Sequence, residues 1–414
     1  MITSKTIYFL TCHNIVGLIA KPNGIAHRLK SVMLGCQQTG ARLVILWFTP
    51  RGLINRDGID IQSLLRSAWN VECEVINLEC TYQPATFYST YLYPFFMGAA
   101  HSPEFPKISQ TVVDQVKSIV SSPSKLILFQ SYLLMPGLYK QLAGNELHVD
   151  YNDVEHVAFQ RRLKLHPKIR HRILDLTQVF HRRALDFKLM KSCKSVLVCS
   201  KHDVDYLRNE LKINHAVAVN NAVDAPPCEH IDSTGGRTLL FVGSMRWQPN
   251  IDAVDFFLLH VFPKVLSVIP DVSLTIVGDG SESVLIPPDL IRSVNVLGYV
   301  ESLGKIYKES GIAICPILSG SGTRVKLVEA ASYGKAIVST SIGCEGLEFV
   351  NGKNCLIEDE SEGFAQAICK LINDQNMRAQ IGKEAYNWFL ENCERGAQIK
   401  KLTATLSQAM KEAS

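Results

Sequence analysis

Short, almost purely apolar runs recur along the whole chain and alternate with longer segments of helical periodicity. The runs are TIYFLTC (6–12), RLVILWF (42–48), KLILFQS (125–131), SVLVCS (195–200), TLLFVGS (238–244), SLTIVGD (273–279), IAICPIL (312–318) and KAIVSTS (335–341). Runs this short and this rich in Val, Ile, Leu and Phe predict strands buried on both faces, as in parallel sheets. Between them, HRLKSVMLGCQQTG (27–40) and DAVDFFLLHVFPKVLSVI (252–269) carry helical spacing. Strand–helix–strand repetition predicts an α/β protein with helices on both faces of each sheet.

The pattern breaks at AVDAPPCEHIDSTGGR (222–237), where two prolines and two glycines interrupt any periodicity. Such a stretch predicts a linker. It separates a first Rossmann-like domain, 1–221, from a second, 238–396. The final segment, 397–414, has good helix propensity and is expected to pack back on the first domain.

Composition narrows the function classes. The 414 residues are 47% hydrophobic and 20% charged, as in globular proteins, and the net charge of +4 is too weak to argue for nucleic acid. None of the 12 cysteines forms a CxxC pair, and none joins histidines at zinc spacing. Several lie inside apolar runs, Cys199 and Cys315 among them. They read as buried free thiols of a protein in a reducing cytosol. The N-terminus shows no signal-peptide pattern, and no run of about 18 apolar residues predicts a membrane span.

Two segments of the first half leave alternatives open. Residues 81–105 are dense in Tyr and Phe and read either as a packed layer or as an aromatic platform for a sugar or lipid acceptor. Residues 161–194 carry eleven Lys or Arg against Asp175 and Asp186. They read either as a solvated helix pair or as a surface meeting anionic headgroups, giving peripheral attachment to the inner face of the cell membrane. No aromatic interleaving supports single-stranded nucleic acid there.

The chemistry concentrates in 312–347. The strand ending at Cys315 is followed by Ser319, Gly320, Ser321, Gly322 and Thr323, and then by a helix predicted over 324–332. A Gly/Ser loop entering a helix presents backbone N–H groups and the positive end of the helix dipole, an arrangement that binds phosphate. Arg324 and Lys326 add two cations at the same mouth. Glu329 lies on an otherwise apolar helix, where a carboxylate is costly unless paired and would suit a diol such as a ribose.

Other signals are weaker. Gly278-Asp279-Gly280 lacks the third glycine of a dinucleotide fingerprint, and Asp203-x-Asp205 follows a Ser200-x-x-Asp203 capping box better read as a helix start than a metal site. Asp150, Asp153, Glu155 and His156 crowd the end of the strand-like ELHVDY (146–151). A strand end is where an α/β fold places its chemistry, so Asp150, Asp153 and Glu155 are candidates to bind or polarise an acceptor. Local turn capping is the alternative.

With these residues on the page, the sequence resembles retaining glycosyltransferases of family 4, a group 1 type with the GT-B fold, in the subgroup carrying a GSGTRxK loop. The stretches carrying the resemblance are FVGSMRWQPNIDAVDFF (241–257), LTIVGDG (274–280), VNVLGYVESLGKIYKES (294–310), GSGTRVKLVEAASYGKAIVSTSIGCEGL (320–347) and FAQAICKLINDQNMRAQIG (364–382). The first domain is similar more loosely, through KPNGIAHRLKSVML (21–34), VDYNDVEH (149–156), LVCSKHDVDYL (197–207) and VAVNNAVDA (217–225).

The resemblance implies two doubly wound Rossmann-like domains facing a central cleft, with a nucleoside-diphosphate sugar, UDP- or GDP-linked, as donor. It implies that Arg324 and Lys326 grip the diphosphate together with Gly320, Ser321, Gly322 and Thr323. It places Arg246 beside the same phosphates, Glu329 on the ribose hydroxyls, and Gly298, Tyr299 and Val300 along the base. Gly24 would let the first domain approach the donor phosphate. The acceptor would be a glycan or lipid-linked hydroxyl in polysaccharide or glycoconjugate synthesis, the sugar moving with retention and without a metal or other cofactor. Two features depart from the family pattern. Ser321 stands where the first acid of the Glu-x7-Glu motif is expected, and Asn250 and its neighbours replace the lysine of an Arg-x4-Lys pair. They motivate a catalytically silent nucleotide-sugar-binding protein as an alternative; a nucleotide-sugar epimerase of the same fold is another.

Overall fold

The computed structural model describes residues 5–51, 60–83, 105–120, 126–165, 169–226 and 236–412. The chain divides into two compact units. Met1–Asn220 with Gln398–Ser414 form the first, and Asn221–Ala397 the second. Most of the aromatic-rich segment 81–105, and most of the sequence-predicted linker, lie outside the described residues.

The first unit is built on seven parallel strands: β1 (Thr6–Thr11), β2 (Arg42–Pro50), β3 (Glu74–Cys80), β4 (Leu126–Phe129), β5 (Glu146–Tyr151), β6 (Ser195–Val198) and β7 (Ala216–Ala218), in the order β3-β2-β1-β4-β5-β6-β7. Successive side chains of a strand point to opposite faces. Tyr8, Leu10, Val44 and Leu46 therefore enter one core layer, and Ile7, Phe9, Leu43, Ile45 and Trp47 the other. Both faces are filled, which is why these strands read as unbroken apolar runs. The last helix, Arg395–Glu412, places Leu402, Leu406 and Met410 in the second layer. It approaches the helix Gly24–Gln38 at Gly35, where a Cβ would lie 2.5 Å from Leu402. A side chain larger than hydrogen at Gly35 would have to displace the Leu402 side chain.

The second unit has six parallel strands: β8 (Thr238–Val242), β9 (Ser273–Val277), β10 (Val294–Val296), β11 (Ile312–Cys315), β12 (Ala336–Ser339) and β13 (Leu356–Ile357), in the order β10-β9-β8-β11-β12-β13. Leu239 and Leu240 of β8 pair with Ile312 and Ala313 of β11. The chain turns from β8 toward β9 on one side and from β11 toward β12 on the other. Loops leaving the carboxyl ends of such a strand pair diverge, and the crevice between them is where doubly wound sheets bind ligands. The predicted helix over 252–269 occurs in pieces, Gln248–Phe256, a π-type turn Phe257–Val261, and Phe262–Val268 with Pro263 in its first turn. Proline removes an N–H donor and tolerates only the start of a helix.

Candidate functional site

Two loops meet at the point of divergence in the second unit. One, 243–247, joins β8 to the helix Gln248–Phe256; the other, 316–324, joins β11 to the helix Val325–Ser332. Lys326, in the first turn of the latter helix, donates from Nζ to Asn250 Oδ1 at 2.6 Å. Asn250 in turn donates from Nδ2 to the Ser244 carbonyl at 2.8 Å. The ammonium also lies 4.1 Å from the centre of the Phe241 ring, within cation–π range. Burial first, and Arg324 among its neighbours, draw Lys326 down to about 8, while Cys315 and Glu329 pull the other way. Asn250, which the sequence shows only as a departure from a lysine, thus positions the cation of the other loop.

Arg324 precedes the helix with an extended backbone and is buried. Its Nη1 donates to the carbonyls of Ser321 and Gly322 at 2.5 and 2.6 Å, and its guanidinium lies 5.7 Å from the Trp247 ring. The structure therefore gives Arg324 a loop-shaping role beside the phosphate-gripping one expected for it. Gly320 takes φ +115°, and a Cβ there would come 3.2 Å from Arg324 Nη2 and 3.4 Å from Trp247. Glycine alone adopts that backbone readily. Ser321 and Gly322 are buried, and Thr323 Oγ1 accepts from Asn221 Nδ2 at 2.8 Å.

The remaining expected donor residues lie on neighbouring loops at the same sheet edge. Arg246 is exposed and donates from Nε to Asp279 Oδ2 at 2.5 Å, which ties the loop after β8 to the loop after β9. Gly298, Tyr299 and Val300 follow β10 and are half-buried; Gly298 donates to Ser281 Oγ at 3.1 Å and accepts from the Gly278 amide at 2.8 Å. Glu329 is half-buried near Tyr307 and Tyr333, whose rings stack with centroids 4.6 Å apart. Burial first, then the Glu329 carboxylate, hold both phenols above their ordinary range.

Gly24, Asp150 and Glu155 belong to the first unit. Gly24 opens the helix Gly24–Gln38, whose first turn is capped by Asn23 through the amides of Ile25 and Ala26. Asp150 is fully buried, and both its oxygens are held by Arg28, at 2.5 Å from Nη2 and at 3.0 and 3.1 Å from Nε. Arg28 also donates to the Val219 carbonyl. The structure gives Asp150 a place in an internal ion pair rather than an open carboxylate for an acceptor. Glu155 opens the helix Glu155–Leu165 and pairs with Arg182. Burial first, then Asp186 and Asp153, push its carboxyl up to about 8. Beside it, Asp186 Oδ2 accepts from Tyr151 at 2.7 Å and meets His156 Nδ1 at 2.7 Å, and His156 Nε2 reaches Tyr206 at 2.8 Å. This buried network was visible in the sequence only as a crowd of polar residues after β5. Ser200 caps its helix as its spacing predicts, accepting from the Asp203 amide at 3.0 Å.

Comparison with known proteins shows what the second unit and the fold resemble. Residues 236–374, within the second unit, match the family described as Glycosyl transferases group 1. That segment of the second unit is similar to the group 1 glycosyl transferases. A curated relative, the phosphatidyl-myo-inositol mannosyltransferase of Mycolicibacterium smegmatis, is 28% identical over 211 residues, 48% of this chain and 53% of that protein. The chain spans about half the length of the curated relatives it matches. Among solved structures, sucrose-phosphate synthase of Thermosynechococcus elongatus superposes with a TM-score of 0.71 at 14% identity, over 99% of this chain and 100% of that one. Anabaena Alr3699/HepE, solved in complex with UDP and glucose, gives 0.59 at 16% identity, over 97% and 99%. At these identities the likeness shows the fold, which is of the GT-B type with two parallel-sheet, Rossmann-like units. The Lys326–Asn250 pair and the loop 316–324 all fall inside the matched group 1 segment.

Proposed function

We propose that the protein is a glycosyltransferase, transferring a sugar from a nucleoside-diphosphate donor to a hydroxyl of a glycan or lipid-linked acceptor, with retention of configuration, as family 4 enzymes of the GSGTRxK subgroup do. The observation that carries this reading is the fixed cation at the switch point: Lys326, held by Asn250 at the first turn of the helix Val325–Ser332, in the segment similar to group 1 glycosyl transferases. A departing nucleoside diphosphate gains negative charge in the transition state. Lys326, the amides of 320–323 and the helix N-terminus are preorganised to meet that charge without rearranging. Arg324 shapes the loop and adds its own charge. The reading assigns no resident metal, because these groups supply the neutralisation.

Glu329 suits the ribose hydroxyls and Gly298, Tyr299 and Val300 the base. A solved neighbour was determined in complex with UDP and glucose, which supports a nucleoside-diphosphate donor, and a curated relative is named a phosphatidyl-myo-inositol mannosyltransferase, which supports a lipid-linked acceptor. Among the described residues no helix is long and apolar enough to cross a membrane. With the basic segment 161–194, this fits a cytoplasmic enzyme touching an anionic membrane surface peripherally. The test is calorimetric titration with UDP, GDP, ADP and dTDP in EDTA, followed by assay of the matching sugar nucleotides. Selective binding of one nucleotide and turnover of its sugar support the reading; absence of both sinks it.

A further inference from the structure

The helix Ile169–Lys191 packs Val179, Leu189 and Met190 inward and still leaves large apolar side chains outside. Its inner face buries Gln178, Arg182 and Asp186, while its outer face exposes Leu176, Phe180 and Phe187 at 45%, 65% and 39%. At about 100° per residue, those three side chains fall within about 40° of one another and form one stripe. Arg183, Lys188 and Lys191 flank it, and Lys191 Nζ sits 5.5 Å from the Phe187 ring centre. The segment 161–194 around it carries eleven basic residues against two acids. Exposed aromatic side chains in a row cost free energy in water, and contiguous ones mark an interaction surface.

We infer that this outer stripe is the face by which the protein docks on an anionic lipid bilayer, Leu176, Phe180 and Phe187 entering the headgroup boundary while Lys188 and Lys191 meet lipid phosphates. The inference rests on the peripheral-membrane part of the proposed function and assigns it to one helix face. Charge decides for this occupant: Phe and Leu on one line, basic side chains on both flanks, is the pattern of a helix lying in a membrane interface. The inward charges fit the same account. Arg182 is spent inside, on Glu155, and Arg183 pairs with Glu210 at 3.5 Å, so Lys188 and Lys191 are the cations beside the stripe that face outward.

The test is pelleting of the full chain with sucrose-loaded vesicles of phosphatidylcholine alone or mixed with phosphatidylglycerol. Binding should require the anionic lipid and fall steeply between about 0.1 and 1 M salt, as the Debye length shrinks from about 10 to 3 Å. F180S should abolish most of it. K188E/K191E should lower it by about tenfold or more, at about 1 kcal/mol per basic residue near such a surface. All three positions are exposed, so the circular-dichroism melt should stay at the native value. Nucleoside-diphosphate binding in the same preparations should be unchanged, so that loss of vesicle binding counts against the docking face and not against the transferase reading. Equal pelleting with neutral vesicles, or native-like pelleting of F180S, overturns the inference. So does a concentration-dependent dimer that F180S dissolves in a protein that ignores vesicles, since the stripe is then a contact between copies.

Discussion

Lys326 and Asn250 come from helices that follow different strands, and they meet at 2.6 Å over the switch point of the second sheet. The contact fixes a cation where a doubly wound fold binds its ligand. It joins two sequence features that looked unrelated, a lysine in a phosphate-binding loop motif and an asparagine where a basic residue was expected. An amide holds the ammonium in place without neutralising it, which a carboxylate would do.

Removing the cation should remove catalysis. K326A should lower kcat by about 10²–10³, the range for losing one preorganised charge-stabilising group. N250A should cost less, about tenfold, because it frees the ammonium without deleting it. Steady-state kinetics of the two variants check this ranking. Equal effects would mean that Asn250 touches the substrate itself.

Acid–base behaviour follows from the same pair. Lys326 sits at about 8, and only its protonated form attracts a phosphate. Affinity for the nucleoside diphosphate should therefore hold below pH 8 and decline as pH rises through it. K326R should flatten the decline, since a guanidinium stays charged. Titration calorimetry from pH 6.5 to 9.5, numbers chosen to straddle roughly one and a half units on each side of that value, reads this directly.

If Glu329 holds the ribose as proposed, its substitution should cost binding more than stability. E329Q should weaken nucleotide affinity severalfold while leaving the melting temperature nearly native, about what loss of one charge-assisted hydrogen bond gives. A large melting shift with unchanged affinity would make Glu329 a structural partner of Tyr307 and Tyr333.

Asp150 should behave in the opposite way. Its carboxylate and Arg28 are both buried, so D150A leaves an uncompensated internal charge and should destabilise the first unit by about 3–5 kcal/mol. Urea unfolding measures it. R28M/D150L, which removes both charges, should be less damaging than either single change.

The interior of the fold was legible in the sequence, and its margins were not. All eight apolar runs are strands, and each lies inside its sheet. Five strands lack such a run: β3, β7, β10 and β13 are the outermost strands of their sheets, while β5 is internal and its ELHVDY is interrupted by His148 and Asp150. An edge strand pairs on one side only and needs no continuous apolar stretch, as EVINLEC in β3 shows. At the site, the loop 316–324 and its cations were visible because glycine and charge are read locally. Asn250 could not be assigned from sequence, since its partner lies 76 positions away. Asp150 was misleading for the same reason: its position at a strand end suggested chemistry, and the arginine that occupies it comes 122 residues earlier.

The most direct measurement is calorimetric titration of the native protein and K326A with UDP and GDP in EDTA. The account predicts that one nucleotide binds the native protein without a metal, and that K326A loses that binding while melting at the native temperature. Native-strength binding by K326A, or no binding of either nucleotide at millimolar concentration by the native protein, would contradict it.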